Sequence, residues 1–183
     1  MTLVLRPARS NEAAAIAQLH LDTRVATYTG RIPQAVLDAD NLERRVASWA
    51  ERLADPLRRI FVAEEAGRLV GLACAGPMPE RPNGHDPLPA FDAYLYSLYV
   101  EPEQHGRSIG RKLLRQIAER LVADGLHAMA LHTVGTNPAR GFYEHLGARL
   151  VREEEAEQAG ARWGLAVYGW DDLHPLTLPA RNA

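Results

Sequence analysis

The stretch Val100-Glu101-Pro102-Glu103-Gln104-His105-Gly106-Arg107-Ser108-Ile109-Gly110-Arg111-Lys112 joins an apolar run to a glycine turn and then to a helical pattern. A turn of that kind aims free backbone N–H groups and the positive end of a helix dipole at one point, where an anion can sit. Glycine lets the backbone approach such a ligand closely. From residue 103 to residue 121 the cations Arg107, Arg111, Lys112, Arg115 and Arg120 face only Glu103 and Glu119. Cations in a first helical turn oppose the dipole, so they cost stability unless something negative binds there. A phosphate-bearing ligand is the expectation, and a solvated cationic face is the plain alternative. A Walker loop is excluded because Gly110 is followed by Arg111-Lys112-Leu113 and not by Lys-Ser/Thr. The glycine spacing of a dinucleotide fingerprint is absent as well.

A second block, Asn137-Pro138-Ala139-Arg140-Gly141-Phe142-Tyr143-Glu144-His145-Leu146-Gly147, follows on the next helical pattern. Together the two blocks resemble motifs A and B of the GNAT acetyltransferases. In that family a Gln/Arg-x-x-Gly-x-Gly/Ala loop holds the pyrophosphate of coenzyme A. His105 stands here where Gln or Arg is usual, and Ser108 where the first Gly is usual. Serine is a good helix N-cap and has a hydroxyl to offer phosphate. The loop Tyr28-Thr29-Gly30-Arg31-Ile32-Pro33 is similar to that of a bacterial subgroup of the family.

The resemblance implies acetyl transfer from acetyl-CoA to a primary amine, by direct attack, in an α/β fold with a mixed, mostly antiparallel sheet flanked by helices. It places coenzyme A against Leu98, Tyr99 and Val100 of the preceding strand, and against His105, Gly106, Arg107, Ser108, Ile109, Gly110 and Arg111 of the turn. Asn137, or Thr136 by the longer spacing of many members, would contact coenzyme A, and Tyr143 would lie near its sulfur. Tyr143 is the expected acid for the departing thiolate. Its alternative is packing beside Phe142. Many members carry a Glu base where this chain has Tyr94, so Asp92, two residues earlier and on the same strand face, becomes the candidate base. Its alternative is a solvated turn residue. The acceptor is expected to be a small-molecule amine, walled by residues from Tyr28 to Ile32 and by the 76–92 loop, where Asp86 and Asp92 would suit a cation. A non-catalytic domain that binds coenzyme A as a sensor or partner module is the alternative from another class.

Composition narrows the partners. The 183 residues carry a formal net charge of −2, so nothing global suggests nucleic acid or an anionic membrane. The cationic stretch 105–120 also lacks the aromatic residues that stack on bases. Lys112 is the only lysine, an arginine bias that reads as genomic composition. Cys74 has no partner for an internal disulfide and lies in an apolar run, which fits a reducing cytoplasm. The first apolar run, Leu3 to Leu5, is too short for a signal-peptide core, and no stretch is long enough to span a bilayer. The histidines show no H-E-x-x-H or comparable spacing, so no metal is expected. A homodimer is an assembly the sequence leaves open.

The elements that position these residues follow from periodicity. Strands are expected at Leu3–Leu5, Ile60–Glu64, Arg68–Ala75, Tyr94–Val100, His127–Val134, Ala148–Glu154 and Trp163–Trp170. Helices are expected from Ser10 to about Thr23, after an Asp40/Glu43 capping box, from Ser108 to Asp124, and from Pro138 to Leu146. The proline-rich stretch 76–90 reads as an irregular loop inside one domain spanning residues 1–172, with 173–183 as a loose tail.

Overall fold

The computed structural model describes residues 2–158 and 160–179. Residues 68–77 are the longest apolar stretch, and such a run settles where both of its faces are covered. They form β3 (Arg68–Pro77), buried along nearly its whole length in the middle of the sheet. Around it stand β1 (Leu3–Pro7), β2 (Arg59–Glu65), β4 (Ala93–Val100), β5 (Met129–Val134), β6 (Arg149–Gln158) and β7 (Ala161–Trp170). The order β1-β2-β3-β4-β5-β7-β6 is antiparallel throughout except between β4 and β5.

Six helices among the described residues cover the sheet: α1 (Ala13–Tyr28), α2 (Gln34–Asp38), α3 (Leu42–Ala54), α4 (Ile109–Ala123), α5 (Arg140–His145) and α6 (His174–Thr177). α4 is the crossover between the parallel strands β4 and β5. Its stripe of Leu113, Leu114, Ile117, Ala118 and Leu121 is fully buried with Val70, Ala73 and Leu95 of the sheet. Each buried leucine of that kind contributes roughly 2 kcal/mol. On the opposite face, Ile16 and Leu19 of α1 pack with Trp49 of α3 and Leu72 of β3.

The parallel pair meets only at Ala93↔Met129 and Tyr94↔Ala130. Beyond Tyr94 the two strands diverge, leaving the β5-facing edge of β4 unpaired. The divergence coincides with a register shift against β3, where Ser97 pairs with Cys74 and Leu95 with Ala75, so Tyr96 is the extra residue of a bulge. A bulge bends its strand and increases its twist. That bend opens the sheet.

Several expected boundaries moved. The first helix continues to Tyr28, because nothing between Arg24 and Tyr28 breaks it and the turn comes only at Gly30 with φ +74°. Its expected start, Ser10, lies in a separate 3₁₀ turn. Asn41, not Asp40, caps α3, accepting from the Arg44 amide at 2.8 Å. Asp40 is drawn instead to the guanidinium groups of Arg24 and Arg45. The short α2 was not expected. The segment read as a loose tail packs: Leu173 and Leu176 join the core under α4. The last four residues, 180–183, lie outside the described residues.

Candidate active site

The opening between β4 and β5 is a cleft of about 680 Å³. Leu98, Tyr99 and Val100 form one wall, Asn137, Phe142 and Tyr143 the other, and the turn before α4 its end. Gly106 adopts φ +79°, a left-handed conformation that suits glycine. Ser108 follows with φ 59° and ψ 18°, also left-handed, and its side chain makes no cap bond. The capping role expected of that serine is therefore absent. The backbone still takes the shape that a glycine would give it. The first rung of α4 is Lys112 N–H to the Ser108 carbonyl at 3.0 Å, so the amides of Ile109, Gly110 and Arg111 precede the helical ladder. All three residues line the cleft, with His105, Gly106 and Ser108. A Cβ on Gly110 would lie in contact with the Phe142 ring at 3.4 Å, which puts the start of α4 beside α5.

Side chains of this turn are less available than its backbone. Arg107, expected on the anion, instead grips Glu65 of β2 through Nη1 and Nη2, at 3.0 and 2.7 Å, and does not line the cleft. His105 turns back on its own loop, Nε2 lying 2.9 Å from the Val100 carbonyl. Arg111 lines the cleft.

Asn137 is buried and fully engaged. Its Nδ2 donates to Tyr28 Oη at 3.1 Å and to Thr133 Oγ1 at 2.6 Å, and its Oδ1 accepts from the Ala139 amide at 2.9 Å. It ties the end of α1, β5 and the start of α5 around the cleft. Thr136, the other reading of the motif, is exposed and off the lining. Tyr143 is 6 % exposed, with its ring edge-on to Phe142 and Trp170, and burial pushes its phenol well above the ordinary tyrosine range.

Asp92 does not reach the cleft. Its carboxylate accepts from the amides of His127 and Ala128 at 2.9–3.0 Å, bracing the start of β5 against β4. Among the described residues lining the cleft there is neither Asp nor Glu. The 76–92 loop contributes nothing to that lining, and the Asp86 side chain is 83 % exposed beside Arg81. From the acceptor wall expected in the sequence, Tyr28 and Arg31 remain.

One cluster escaped the sequence reading. His132 lines the cleft from β5, and its Nδ1 is 2.8 Å from Tyr94 Oη. Its other nitrogen meets Glu154 of β6 and, through it, His85 of the 78–92 loop. These residues are distant in sequence, and only the strand order β5-β7-β6 brings them together.

Comparison with known proteins gives a match to the acetyltransferase (GNAT) family over residues 19–148, which includes the whole cleft turn and α5. The chain belongs to the GNAT acetyltransferases. This GNAT chain is 31 % identical to an uncharacterised N-acetyltransferase of Bacillus subtilis, YuaI, over 95 % of its own length and 96 % of the relative's. It is 29 % identical to the L-amino acid N-acyltransferase MnaT of Escherichia coli, covering 92 % and 89 %. In fold it resembles yncA of Salmonella typhimurium, an acetyltransferase solved with acetyl-CoA, at a TM-score of 0.70 and 21 % identity over 100 % and 99 % of the two chains. The GNAT enzyme is an N-acetyltransferase whose acyl donor is acetyl-CoA. Its cleft fits that donor, with unladdered amides and Arg111 at one end and an unpaired strand edge along one wall. No helix among the described residues is long and apolar enough to cross a membrane.

Proposed function

We propose that this enzyme acetylates the primary amine of a small molecule that also carries a carboxylate, an amino acid or a close analogue. The observation that carries the proposal is the charge of the cleft: Arg31 and Arg111 line it, and no described carboxylate does. A site built to hold a cationic amine by charge would show the opposite balance. Arg111 sits at the turn end, where the donor's phosphates belong, which leaves Arg31 near Tyr28 for the acceptor's carboxylate. The similarity to the amino-acid N-acyltransferase of Escherichia coli supports the same acceptor class.

In this reading the amides of the 105–111 turn hold the pyrophosphate, with Asn137 acting through the scaffold it ties together. The free edge of β4 at Leu98–Val100 offers N–H groups to the pantetheine and to the thioester oxygen as negative charge develops there. Tyr143 donates a hydrogen bond to the departing sulfur. Its raised phenol stays protonated at neutral pH, and a thiolate in the same dry cleft is correspondingly more basic. With no described carboxylate lining the cleft, water takes the amine's proton. The expected signature is a pH–rate profile that moves with the acceptor's own ammonium pKa across a series of acceptors. The lone buried thiol, Cys74, supports a cytoplasmic setting.

Initial rates with L-amino acids and with the amines made by removing their carboxylates test the acceptor. The amino acids should be at least about tenfold better in kcat/KM, the size of one charge-assisted contact. Arg31→Ala should erase that preference without changing the KM for acetyl-CoA. Preference for the decarboxylated amines would contradict the proposal.

A further inference from the structure

His85, His132 and Glu154 offer two imidazole nitrogens and one carboxylate oxygen that all lie within 4.8 Å of one another. Glu154 Oε1 is 2.9 Å from His85 Nδ1 and 3.1 Å from His132 Nε2. Those distances suit hydrogen bonds, but the alignment does not: His132 Nε2 and Glu154 Oε1 are both buried and neither has a hydrogen-bond partner. The His132 side chain is only 4 % exposed. A buried donor or acceptor left in that state costs about 1–3 kcal/mol, so the arrangement calls for something shared by the three atoms. Around a tetrahedral ion with bonds of about 2.0–2.1 Å, neighbouring donor atoms stand roughly 3.3 Å apart. Two of the three separations here are close to that value.

The surroundings complete a coordination sphere. The outer nitrogen of His132, Nδ1, has Tyr94 Oη at 2.8 Å, a partner that fixes the ring's orientation and tautomer. The second oxygen of Glu154 accepts from Arg152 Nε at 2.8 Å, which holds the carboxylate with Oε1 toward the histidines. His85 comes from the 78–92 loop, is partly exposed, and stacks on His132 at 4.7 Å between centroids. It is the ligand with freedom to adjust.

We propose that His85, His132 and Glu154 form a site for one borderline divalent ion of the zinc class. The donor set selects the ion: imidazole suits zinc and its neighbours, whereas magnesium and calcium take oxygen ligands. With three protein ligands the fourth position is left for water. The ion pins the proline-rich loop to β5 and β6 beside the cleft, so its effect is on the order of that loop and on stability. The proposal stands independently of which amine is acetylated.

The full chain, stripped with a chelator and titrated with Zn²⁺ by calorimetry, should bind one ion per chain and gain thermal stability, with no gain from Mg²⁺. His85→Ala and Glu154→Gln should each weaken Zn²⁺ binding at least about tenfold, and abolish the rise in Tm. The surface pair His127 and His174, stacked at 5.6 Å beside Asp172, supplies the control. His174→Ala with Asp172→Asn should leave tight binding intact. Should Glu154→Gln fail to fold, His85→Ala decides, because His85 sits on a loop outside the core clusters. Absence of a stoichiometric ion, or unchanged affinity in His85→Ala, overturns the proposal.

Discussion

Asn137 and Tyr28, 109 positions apart, are joined by a hydrogen bond of 3.1 Å inside the protein. The amide is the donor and the phenol oxygen the acceptor. Through this bond the end of α1 is held against the cleft wall that carries α5, so a residue of the second motif block supports the site through the scaffold. Tyr28→Phe removes the acceptor and leaves the ring in its apolar cluster. We expect a loss of about 1 kcal/mol in urea denaturation, the usual worth of such a bond. Retention of full stability would mean that Thr133 alone suffices to hold Asn137.

Ser108 occupies a left-handed conformation with no side-chain bond in return. A left-handed non-glycine residue costs roughly 1–2 kcal/mol, part of which glycine's greater unfolded-state freedom offsets. Ser108→Gly should therefore raise stability by up to about 1 kcal/mol in urea denaturation. Acetyl-CoA affinity should hold or improve. A destabilised Ser108→Gly would show that the serine hydroxyl has a partner in solution.

His20 is 6 % exposed and surrounded by donors: Trp49 Nε1 at 3.2 Å and Arg45 Nη1 at 3.0 Å. Burial first, and then Arg45, Arg52 and Arg24, push its pKa from 6.5 down to about 2. The folded state keeps the ring neutral, whereas the unfolded chain takes up a proton below pH 6.5. The stabilisation is present above 6.5 and lost as pH falls toward 2, by about 1.4 kcal/mol for each pH unit. His20→Gln, which keeps an acceptor but cannot ionise, should flatten that part of the stability–pH curve. An unchanged slope would remove His20 as its source.

Much of the fold was legible because long periodic runs leave little choice. The stripe Leu113, Leu114, Ile117 and Leu121 can bury only as a helix face, and the apolar run from Arg68 to Ala75 reads as a strand, which the fold extends to Pro77. Boundaries failed where neighbouring residues offered the same chemistry. Asp40 and Asn41 can each cap a helix, and two nearby arginines took the aspartate. The glycine turn at Gly106 and Gly110 was legible because its shape is set by the backbone. Site residues failed where a charged side chain had a competitor elsewhere in the fold, Glu65 for Arg107 and two free amides for Asp92. The His85–His132–Glu154 cluster has no local spacing to betray it, since it depends on two side chains reaching across β7.

Tyr143→Phe keeps the ring and its contacts with Phe142 and Trp170 but removes the donor. General acid assistance is worth about 10²–10⁴-fold, so kcat should fall within that range while the KM for acetyl-CoA moves little. A loss below about threefold, with chemistry rate-limiting, would assign Tyr143 to packing alone.

The turn before α4 is the proposed seat of acetyl-CoA, and calorimetry of coenzyme A binding to Gly110→Asp tests that most directly. Gly110 has ordinary helical geometry, and an acidic residue in a first helical turn favours the helix, so the variant should fold. Its carboxylate would stand among the amides that await the pyrophosphate, and its side chain would press on Phe142. The wild-type chain should bind one coenzyme A per cleft, and Gly110→Asp should bind at least about 100-fold more weakly, the combined effect of steric and like-charge exclusion. Equal affinity in a folded Gly110→Asp would place the cofactor elsewhere and contradict the account.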